Sequence, residues 1–349
     1  MVIRTTTIGA YPKPDYAPVP NWFDLMDQRR GAPTAAFDGY LADRSDAAIE
    51  AHDLATQEVV REQVALGIDV PTDGEVRREH YVYYHCRHLE GFSFSRLTEK
   101  AMRDGSWISS VPTITGCLGA GGPFLPRDWR IAQAVSARPV KITVPGPMTI
   151  IDSTADEYYG TEPALARALA DVLNVEIRRL ADAGCAWIQI DEPVFARKVG
   201  QALDHGIECL SRCFHGVPAQ VNKVVHICCG YPDGLDLSDP PKADPAAYFS
   251  LAEALDAAAF DAVSIEDAHR PNDLRLFEKL SHKTIILGLV DIARTAVEPV
   301  DAIVARLRQV LAHVDSSRLI AAPDCGLTML PRALARAKLT NLVAATRAL

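Results

Sequence analysis

The chain has 349 residues, of which 48% are apolar and 23% charged, a composition that is typical of a globular protein and excludes a disordered or fibrous one. Its net charge of −9 argues against a general nucleic-acid-binding protein, which needs a basic surface. The sequence has no apolar run of about 18 residues, and its N-terminus lacks the pattern of a secretory signal. We therefore expect a cytoplasmic protein that does not interact with a membrane.

Eight short runs rich in β-branched residues, each ending in Gly, Pro, Asp or Glu, predict β-strands. They cover residues 2–9, 67–75, 140–147, 186–193, 223–230, 262–268, 284–291 and 319–326. The segments between them have helical periodicity, which is clearest at 161–184, 299–314 and 332–349.

This alternation predicts an α/β fold with parallel strands, and eight units predict a closed (β/α)8 TIM barrel in which residues 1–349 form one domain. An open, doubly wound sheet is the alternative, but no GxGxxG motif follows a strand. Residues from about 91 to 138, between the second and third predicted strands, are rich in Gly, Pro and Ser. They predict a hairpin and loop insertion into the barrel.

Active sites of such barrels lie at the carboxyl ends of the strands. Six of the eight predicted strands end in reactive side chains. These are Asp73, Glu75, Asp191, Glu192, His226, Cys228, Cys229, Glu266, Asp267, Asp291, Asp324 and Cys325.

A metal site is the clearest candidate among these residues. Because residues two apart in a strand point to the same side, His226 and Cys228 can both face the barrel mouth, while Cys229 points away. Cys325 and Glu266 would complete a set of one nitrogen, two sulfur and one oxygen ligand, which suits zinc with an exchangeable fourth ligand. Ordinary buried barrel residues are the alternative, but the equivalent strand-end positions of the four favour the metal site.

Seven motifs resemble the catalytic domain of cobalamin-independent methionine synthase and cover nearly the whole chain. They are TIGAYP (7–12), DGEVRREHYV (73–82), PGPMTI (145–150), IDEP (190–193), HICCGYP (226–232), SIED (264–267) and PDCGL (323–327). The resemblance implies a stand-alone core homologue of that enzyme without its second barrel. It also implies a place in the wider superfamily of zinc–thiol alkyltransferases with uroporphyrinogen decarboxylase-like barrels.

The resemblance assigns roles to the candidate residues. It makes His226, Cys228, Glu266 and Cys325 the zinc ligands. Because a hard carboxylate is the weakest match for a soft site, we expect Glu266 to be the ligand that loosens when the substrate thiol arrives. In the family this thiol is homocysteine, which attacks a methyl group as a zinc-bound thiolate. The residues implied in substrate binding are Ile8, Gly9, Ala10, Glu75, Ser153 and Asp191, and those implied in catalysis are Asp191, Glu266 and Asp291. Glu75 and Asp191 are expected to anchor the amino-acid ammonium group.

The sequence departs from the family pattern at three positions. Ala10 stands in place of a serine that touches the amino-acid substrate, and Ser153 in place of a tryptophan that stacks on folate. Ala293 replaces a histidine that gives a proton to the leaving folate nitrogen. These losses predict thiol activation with a methyl donor other than methyltetrahydrofolate, such as methylcobalamin, a corrinoid protein or an onium compound. A different thiol is also possible, as in the epoxyalkane–coenzyme M transferases that share this barrel.

Two other functions fit the same residues. A zinc hydrolase or lyase would use metal-bound water, but two thiolate ligands lower the Lewis acidity of zinc and favour thiol alkylation. A non-enzymatic zinc-binding partner of another methyltransferase would bind without turnover. The hydrolase or lyase alternative predicts activity without added thiol. The non-enzymatic alternative predicts no turnover at all.

Overall fold

The computed structural model describes residues 3–19, 34, 38–39, 41–42, 45–102, 107–238 and 242–349. Residue 2 of the first predicted strand and residues 103–106 of the predicted insertion lie outside the described residues. Within the described ranges, no helix is long and apolar enough to cross a membrane.

The strands follow one another along the chain with helices between most of them. In chain order the strands are β1 (Arg4–Thr5), β2 (Leu89–Met102), β3 (Trp107–Ala120), β4 (Lys141–Pro145), β5 (Ala155–Asp156), β6 (Trp187–Asp191), β7 (Asn222–Ile227), β8 (Ala262–Ile265), β9 (Thr284–Gly288) and β10 (Leu319–Ala322). The helices are α1 (Asp46–Leu66), α2 (Tyr83–Cys86), α3 (Leu125–Gln133), α4 (Pro147–Ser153), α5 (Glu162–Asp182), α6 (Val199–Gln201), α7 (Ile207–Cys213), α8 (Ala247–Ala257), α9 (Arg275–Lys279), α10 (Val300–Leu311) and α11 (Arg332–Arg347). A single π-helical turn, Ala202–Gly206, joins α6 to α7, and two short 3₁₀ turns cover Pro193–Ala196 and Ser316–Arg318.

Seven strands form a curled parallel sheet in the order β1–β10–β9–β8–β7–β6–β4. They correspond to seven of the eight predicted strands, and α5, α10 and α11 confirm the three clearest predicted helices. Parallel neighbours require a crossover between strands, which the intervening helices provide. All seven carboxyl ends therefore lie at one edge of the sheet.

The predicted strand at 67–75 is the exception. In place of a strand, the structure has two isolated parallel bridges, from Val70 to Thr6 and from Thr72 to Lys141. The residue between them is Pro71, which has no N–H to donate to a ladder. The segment therefore contacts both edge strands of the sheet, β1 and β4, without continuous pairing.

The residues after β1 and before β4 also differ from a simple strand–helix unit. β2 and β3 pair as a long antiparallel hairpin, and β3 pairs in parallel with the two-residue strand β5. The helix α3 follows the hairpin and leads back to β4.

The inner face of the curled sheet is layered. An apolar cluster near the amino ends of the strands includes Val70, Trp187, Val224, Ile286 and Ile320. The polar residues described below lie further along the same strands, towards their carboxyl ends. A larger cluster on the outer face packs the helices against the sheet.

Candidate active site

Three of the predicted metal ligands come together after the strands β7 and β10. One ligand atom each from His226, Cys228 and Cys325 lies within 4.8 Å of the other two, and we call these residues the metal group. His226 lies in β7, Cys228 directly follows it, and Cys325 follows β10. They are far apart in the sequence but close in space, because the carboxyl ends of all the parallel strands lie at one edge of the curled sheet.

The histidine of the metal group is oriented by a neighbouring strand. Its Nδ1 lies 2.9 Å from the hydroxyl oxygen of Ser264 in β8, with which it is also paired in register. Its Nε2 is buried and has no hydrogen-bond partner. A hydrogen bond at one ring nitrogen commonly fixes the other as a metal ligand. The imidazole of His226 is therefore set with its free nitrogen available to an ion.

The two cysteines of the metal group shift each other's pKa in opposite directions. The hydrogen bond from the Cys325 thiol lowers the pKa of Cys228 well below its ordinary value, against the effect of burial. The same hydrogen bond, with burial, raises the pKa of Cys325 well above its ordinary value. Cys228 is therefore the cysteine of the pair that loses its proton more readily, and thiolate is the form that binds metals.

The fourth predicted ligand, Glu266, is buried and has oxygens in two different environments. Its Oε2 accepts a hydrogen bond from Lys242 Nζ at 2.8 Å and lies 3.0 Å from His269 Nδ1. Its Oε1 is buried without a hydrogen-bond partner. Glu266 falls in a second group of possible ligands with Cys229 and His269, beside the metal group.

Asp324 ties the loop after β8 to the loop after β10. Its carboxylate accepts hydrogen bonds from the backbone N–H groups of Asp267, Ala268 and His269, each at 2.9 Å. This arrangement fixes Glu266 beside the residue that follows Asp324 in the chain, Cys325. Gly288 leaves space for the side chain of Asp324, because a Cβ at that position would overlap Oδ1 of Asp324.

Glu75 and Asp191, which we call the acidic pair, lie at the same edge of the sheet as the metal group. Glu75 has a left-handed backbone conformation, with φ of 55°. Its Oε1 accepts a hydrogen bond from Thr143 Oγ1 at 2.6 Å and lies 3.2 Å from Nη1 of Arg78. Gly9 is close as well, since a Cβ there would be 2.6 Å from Glu75 Oε1.

Asp191 is the member of the acidic pair nearest to the metal group. It is paired in register with His226 on the adjacent strand. Its Oδ1 accepts a hydrogen bond from Gln189 Nε2 at 2.7 Å, and the same amide nitrogen donates to the carbonyl oxygen of Ile8 at 2.9 Å. Burial raises the pKa of Asp191 to about 7, and the charge of Glu75 adds to the shift.

Comparison with known proteins identifies the family. The catalytic-domain model of the cobalamin-independent synthase family matches residues 3–207 and 243–348. The chain belongs to this family. Membership identifies it as a methyltransferase of the cobalamin-independent methionine synthase family, as the sequence motifs predicted. The matched parts leave out residues 208–242, which carry His226, Cys228 and Lys242.

Relatives and solved structures agree with the family. The methionine synthase of Sulfolobus acidocaldarius is 31% identical over 99% of this chain and 91% of its own length, and that of Thermococcus kodakarensis is 27% identical over 98% and 92%. The structure of a B12-independent methionine synthase from Shewanella sp. W3-18-1 in complex with selenomethionine is 28% identical, with a TM-score of 0.86 over 100% of this chain and 98% of that one. A second structure, from Listeria monocytogenes, shares the fold with a TM-score of 0.73 at 18% identity.

The positions that depart from the family motifs lie around the same edge. The carbonyl oxygen of Ala10 accepts a hydrogen bond from the N–H of Leu327, so Ala10 packs against the loop that carries Cys325. Ser153 ends α4, and its carbonyl oxygen accepts a hydrogen bond from the hydroxyl of Tyr83 at 3.2 Å. Ala293 is buried.

Asp291 makes its contacts apart from the other predicted site residues. Its carboxylate accepts a hydrogen bond from the N–H of Ala293 at 2.8 Å, and its own N–H donates to Glu298. Two further strand-end acids are occupied in structural contacts. Glu192 accepts from the N–H groups at the start of α4, and Asp267 accepts a two-point hydrogen bond from Arg306.

Sequence reasoning missed several side chains that hold the site. Gln189 and Thr143 precede the strand ends by two residues and point to the same face, so the alternation of strand residues could have identified them. Lys242 and His269 lie in loops, where no periodic pattern applies. Their contacts with Glu266 depend on the folded arrangement of β7 and β8.

Proposed function

We propose that this methyltransferase transfers a methyl group to the sulfur of homocysteine in a zinc-dependent reaction. The observation that carries the proposal is the metal group, with the buried, unpartnered Nε2 of His226, next to the acidic pair. Family membership and the methionine synthases among its relatives support homocysteine as the acceptor.

The donor atoms of the metal group fit zinc. His226 offers nitrogen, Cys228 and Cys325 offer sulfur, and the unpartnered Oε1 of Glu266 offers the oxygen of a fourth position. This is a soft donor set with one weaker ligand, as expected of a catalytic zinc site. When bound there, zinc lowers the pKa of a coordinated thiol so that its sulfur is nucleophilic at neutral pH.

The acidic pair would bind the ammonium group of the amino acid. Asp191 has one hydrogen bond from Gln189, and it lies beside His226 in the sheet register. An ammonium group bound at Asp191 would hold the amino-acid side chain near the metal group. Glu75 contributes less charge, because the guanidinium of Arg78 already lies next to its carboxylate.

We also propose a methyl donor other than methyltetrahydrofolate. The methyl side chain of the buried Ala293 cannot give a proton to a leaving nitrogen. Asp291 is the nearest acid in the chain, but its carboxylate already accepts the N–H of Ala293. A methylated corrinoid needs no such proton, because its leaving group is the cobalt centre, and it is therefore our preferred donor class.

The proposed architecture around this site is a closed eight-membered barrel formed as one domain. The seven-stranded sheet supports it, and so do the bridges from Val70 and Thr72 to the two edge strands. In this arrangement the segment at 67–75 takes the place of the eighth strand, and the β2–β3 hairpin is the insertion.

Methionine formation tests the proposal. Purified protein with one zinc per chain is given homocysteine with methylcobalamin and, separately, with methyltetrahydrofolate. We expect methionine from methylcobalamin, and loss of that activity after removal of zinc with a chelator. Methionine from methyltetrahydrofolate would overturn the donor proposal. No methionine from either donor or from a methylated onium compound would overturn homocysteine as the acceptor.

A further inference from the structure

The contacts of Glu266 include a cation, Lys242, that lies outside the seven motifs. Lys242 Nζ donates to Glu266 Oε2 at 2.8 Å, and both side chains are nearly removed from solvent, with 9% exposure for Lys242 and none for Glu266. His269 Nδ1 lies 3.0 Å from the same oxygen. The other oxygen, Oε1, has no hydrogen-bond partner. One oxygen of Glu266 is thus held by the chain, and the other has no partner in the chain.

We propose that Lys242 is a positioning residue that makes Glu266 an exchangeable metal ligand. It holds Oε2, so that only Oε1 is presented to the ion, and it keeps the carboxylate paired when the substrate sulfur replaces that oxygen. This proposal rests on the proposed function for its thiol step only. Its effect on the metal ion itself does not depend on which thiol the enzyme uses.

Charge compensation is the physical reason. Two thiolates and one carboxylate carry three negative charges against the two of a zinc ion, and an incoming thiolate adds a fourth. A buried carboxylate released without a partner would be strongly unfavourable, because breaking a buried ion pair leaves an uncompensated charge. Lys242 removes this cost, since Glu266 can leave the ion and remain in its ion pair.

The same contacts argue against a second metal ion at Cys229, Glu266 and His269. These three residues have ligand atoms within 4.8 Å of one another, so they form a possible metal site by distance. The ammonium group of Lys242, however, already lies against the shared carboxylate. A second divalent cation would have to bind beside that positive charge, which is unfavourable. We therefore assign Lys242 the role that a second cation would otherwise have.

Replacement of Lys242 by methionine separates this role from a purely structural one. Loss of a structural support of a ligand weakens metal affinity, commonly by 10- to 100-fold. Loss of a nearby positive charge does the reverse, and we expect K242M to bind zinc about tenfold more tightly in chelator competition. Weaker zinc binding by K242M would overturn the proposal, and this measurement requires no thiol.

The thiol step is measured in the cobalt(II)-substituted protein, whose visible bands report the ligand set. We expect homocysteine to change the wild-type spectrum as sulfur replaces oxygen, and to bind K242M at least about tenfold more weakly. In the E266Q background no carboxylate has to be released, so K242M should cost nothing there. An equal loss in both backgrounds, or no loss in either, would overturn the proposal. If homocysteine left the visible spectrum of the wild-type protein unchanged, that result would contradict the proposed function and not the role of Lys242.

Two further variants serve as controls. K242Q keeps a hydrogen-bond donor for Glu266 but removes the positive charge. Because the proposal rests on that charge, K242Q should bind zinc and homocysteine as K242M does. K242Q also serves as the test variant if K242M does not fold. K223M removes another ion-paired lysine, at the amino end of β7. The Nζ atom of Lys223 lies 3.3 Å from Oδ2 of Asp261. K223M should leave both zinc and homocysteine binding unchanged.

Discussion

The metal group and the acidic pair lie at the same edge of the sheet, but the chain satisfies their polar atoms differently. In the metal group, Nε2 of His226 is buried without a hydrogen-bond partner, as is Oε1 of the adjacent Glu266. In the acidic pair, both carboxylates receive hydrogen bonds from their own chain, Glu75 from Thr143 and Asp191 from Gln189.

This difference indicates two kinds of binding. Buried polar atoms are almost always paired in folded proteins, so each unpaired one needs an explanation. At His226 and Glu266 the nearby cysteine sulfurs make a bound metal ion the explanation that we propose. The metal group is therefore the part of the site at which we propose a bound ion. The acidic pair is folded and partnered on its own, and a cation bound there adds to existing contacts. We expect substitutions in the metal group to have much larger effects than those in the acidic pair.

The largest effect is expected for Cys325→Ser. Loss of a sulfur ligand should lower zinc affinity by more than the 10- to 100-fold that loss of an outer partner costs, and methyl transfer should become undetectable. Zinc content after dialysis and methionine formation measure the two effects. Cys117→Ser makes the same chemical change at an exposed cysteine of β3 and should change neither. Zinc retained by Cys325→Ser at the wild-type level would show that this thiol is not a ligand.

The second largest effect is expected for Asp191→Asn. Removal of a charged partner of the substrate ammonium costs about 1.5–3 kcal/mol, or roughly 10- to 150-fold in kcat/KM for homocysteine. Glu75→Gln should cost less, because Arg78 already compensates its charge. 4-Mercaptobutyrate, which is homocysteine without the amino group, is the control substrate. If Asp191→Asn slowed both thiols equally, ammonium binding would not be its role.

The pH dependence of kcat/KM follows from the same residue. Since the pKa of Asp191 is raised to about 7, its carboxylate becomes protonated as the pH falls through that value. Ammonium binding is then lost, and kcat/KM for homocysteine should fall about tenfold per unit below pH 7. The fall should be absent with 4-mercaptobutyrate and in Asp191→Asn. A fall that persists in the variant belongs to another group.

The smallest effect is expected for a substitution of Lys141, the first residue of β4. Its ammonium group is buried without a hydrogen-bond partner, and burial lowers its pKa from 10.5 to about 7. The unfolded chain therefore binds more protons than the folded chain between these values, so Lys141 costs stability that is recovered as the pH rises.

Lys141→Met should accordingly raise the free energy of unfolding by about 1–3 kcal/mol at pH 7, and by less at pH 9.5. Urea denaturation at both pH values measures the gain. Lys223→Met should give none, because it removes a lysine with an ion-pair partner. A loss of stability in Lys141→Met at both pH values would mean that the ammonium group has a favourable role in the fold.

The sequence predicted the seven strands of the sheet because their β-branched runs agree with their buried position. It failed at 67–75, where Val70 and Thr72 fit a strand pattern but Pro71 prevents a ladder between them. At this segment the missing N–H of the proline outweighs the hydrophobic pattern of its neighbours.

The candidate site shows the same limit. The strand-end positions of His226, Cys228 and Cys325 could be predicted from alternation and from parallel topology. Their proximity was predicted on the same basis. That they bind zinc stays a prediction. The contact between Lys242 and Glu266 could not be predicted, because it joins a loop residue to a strand end 24 positions later. Contacts of this kind depend on loop conformation, for which a single sequence carries no periodic signal.

The bare backbone at Gly288 gives a warning for mutational scanning. A methyl group there would displace the carboxylate of Asp324, and with it the three N–H groups that hold the loop of Glu266. An alanine at this position would therefore present as a metal-binding defect, although Gly288 has no side chain to coordinate anything. A scan that ranks residues by lost activity would count Gly288 among the metal ligands. Its actual role is to leave space for the carboxylate of Asp324.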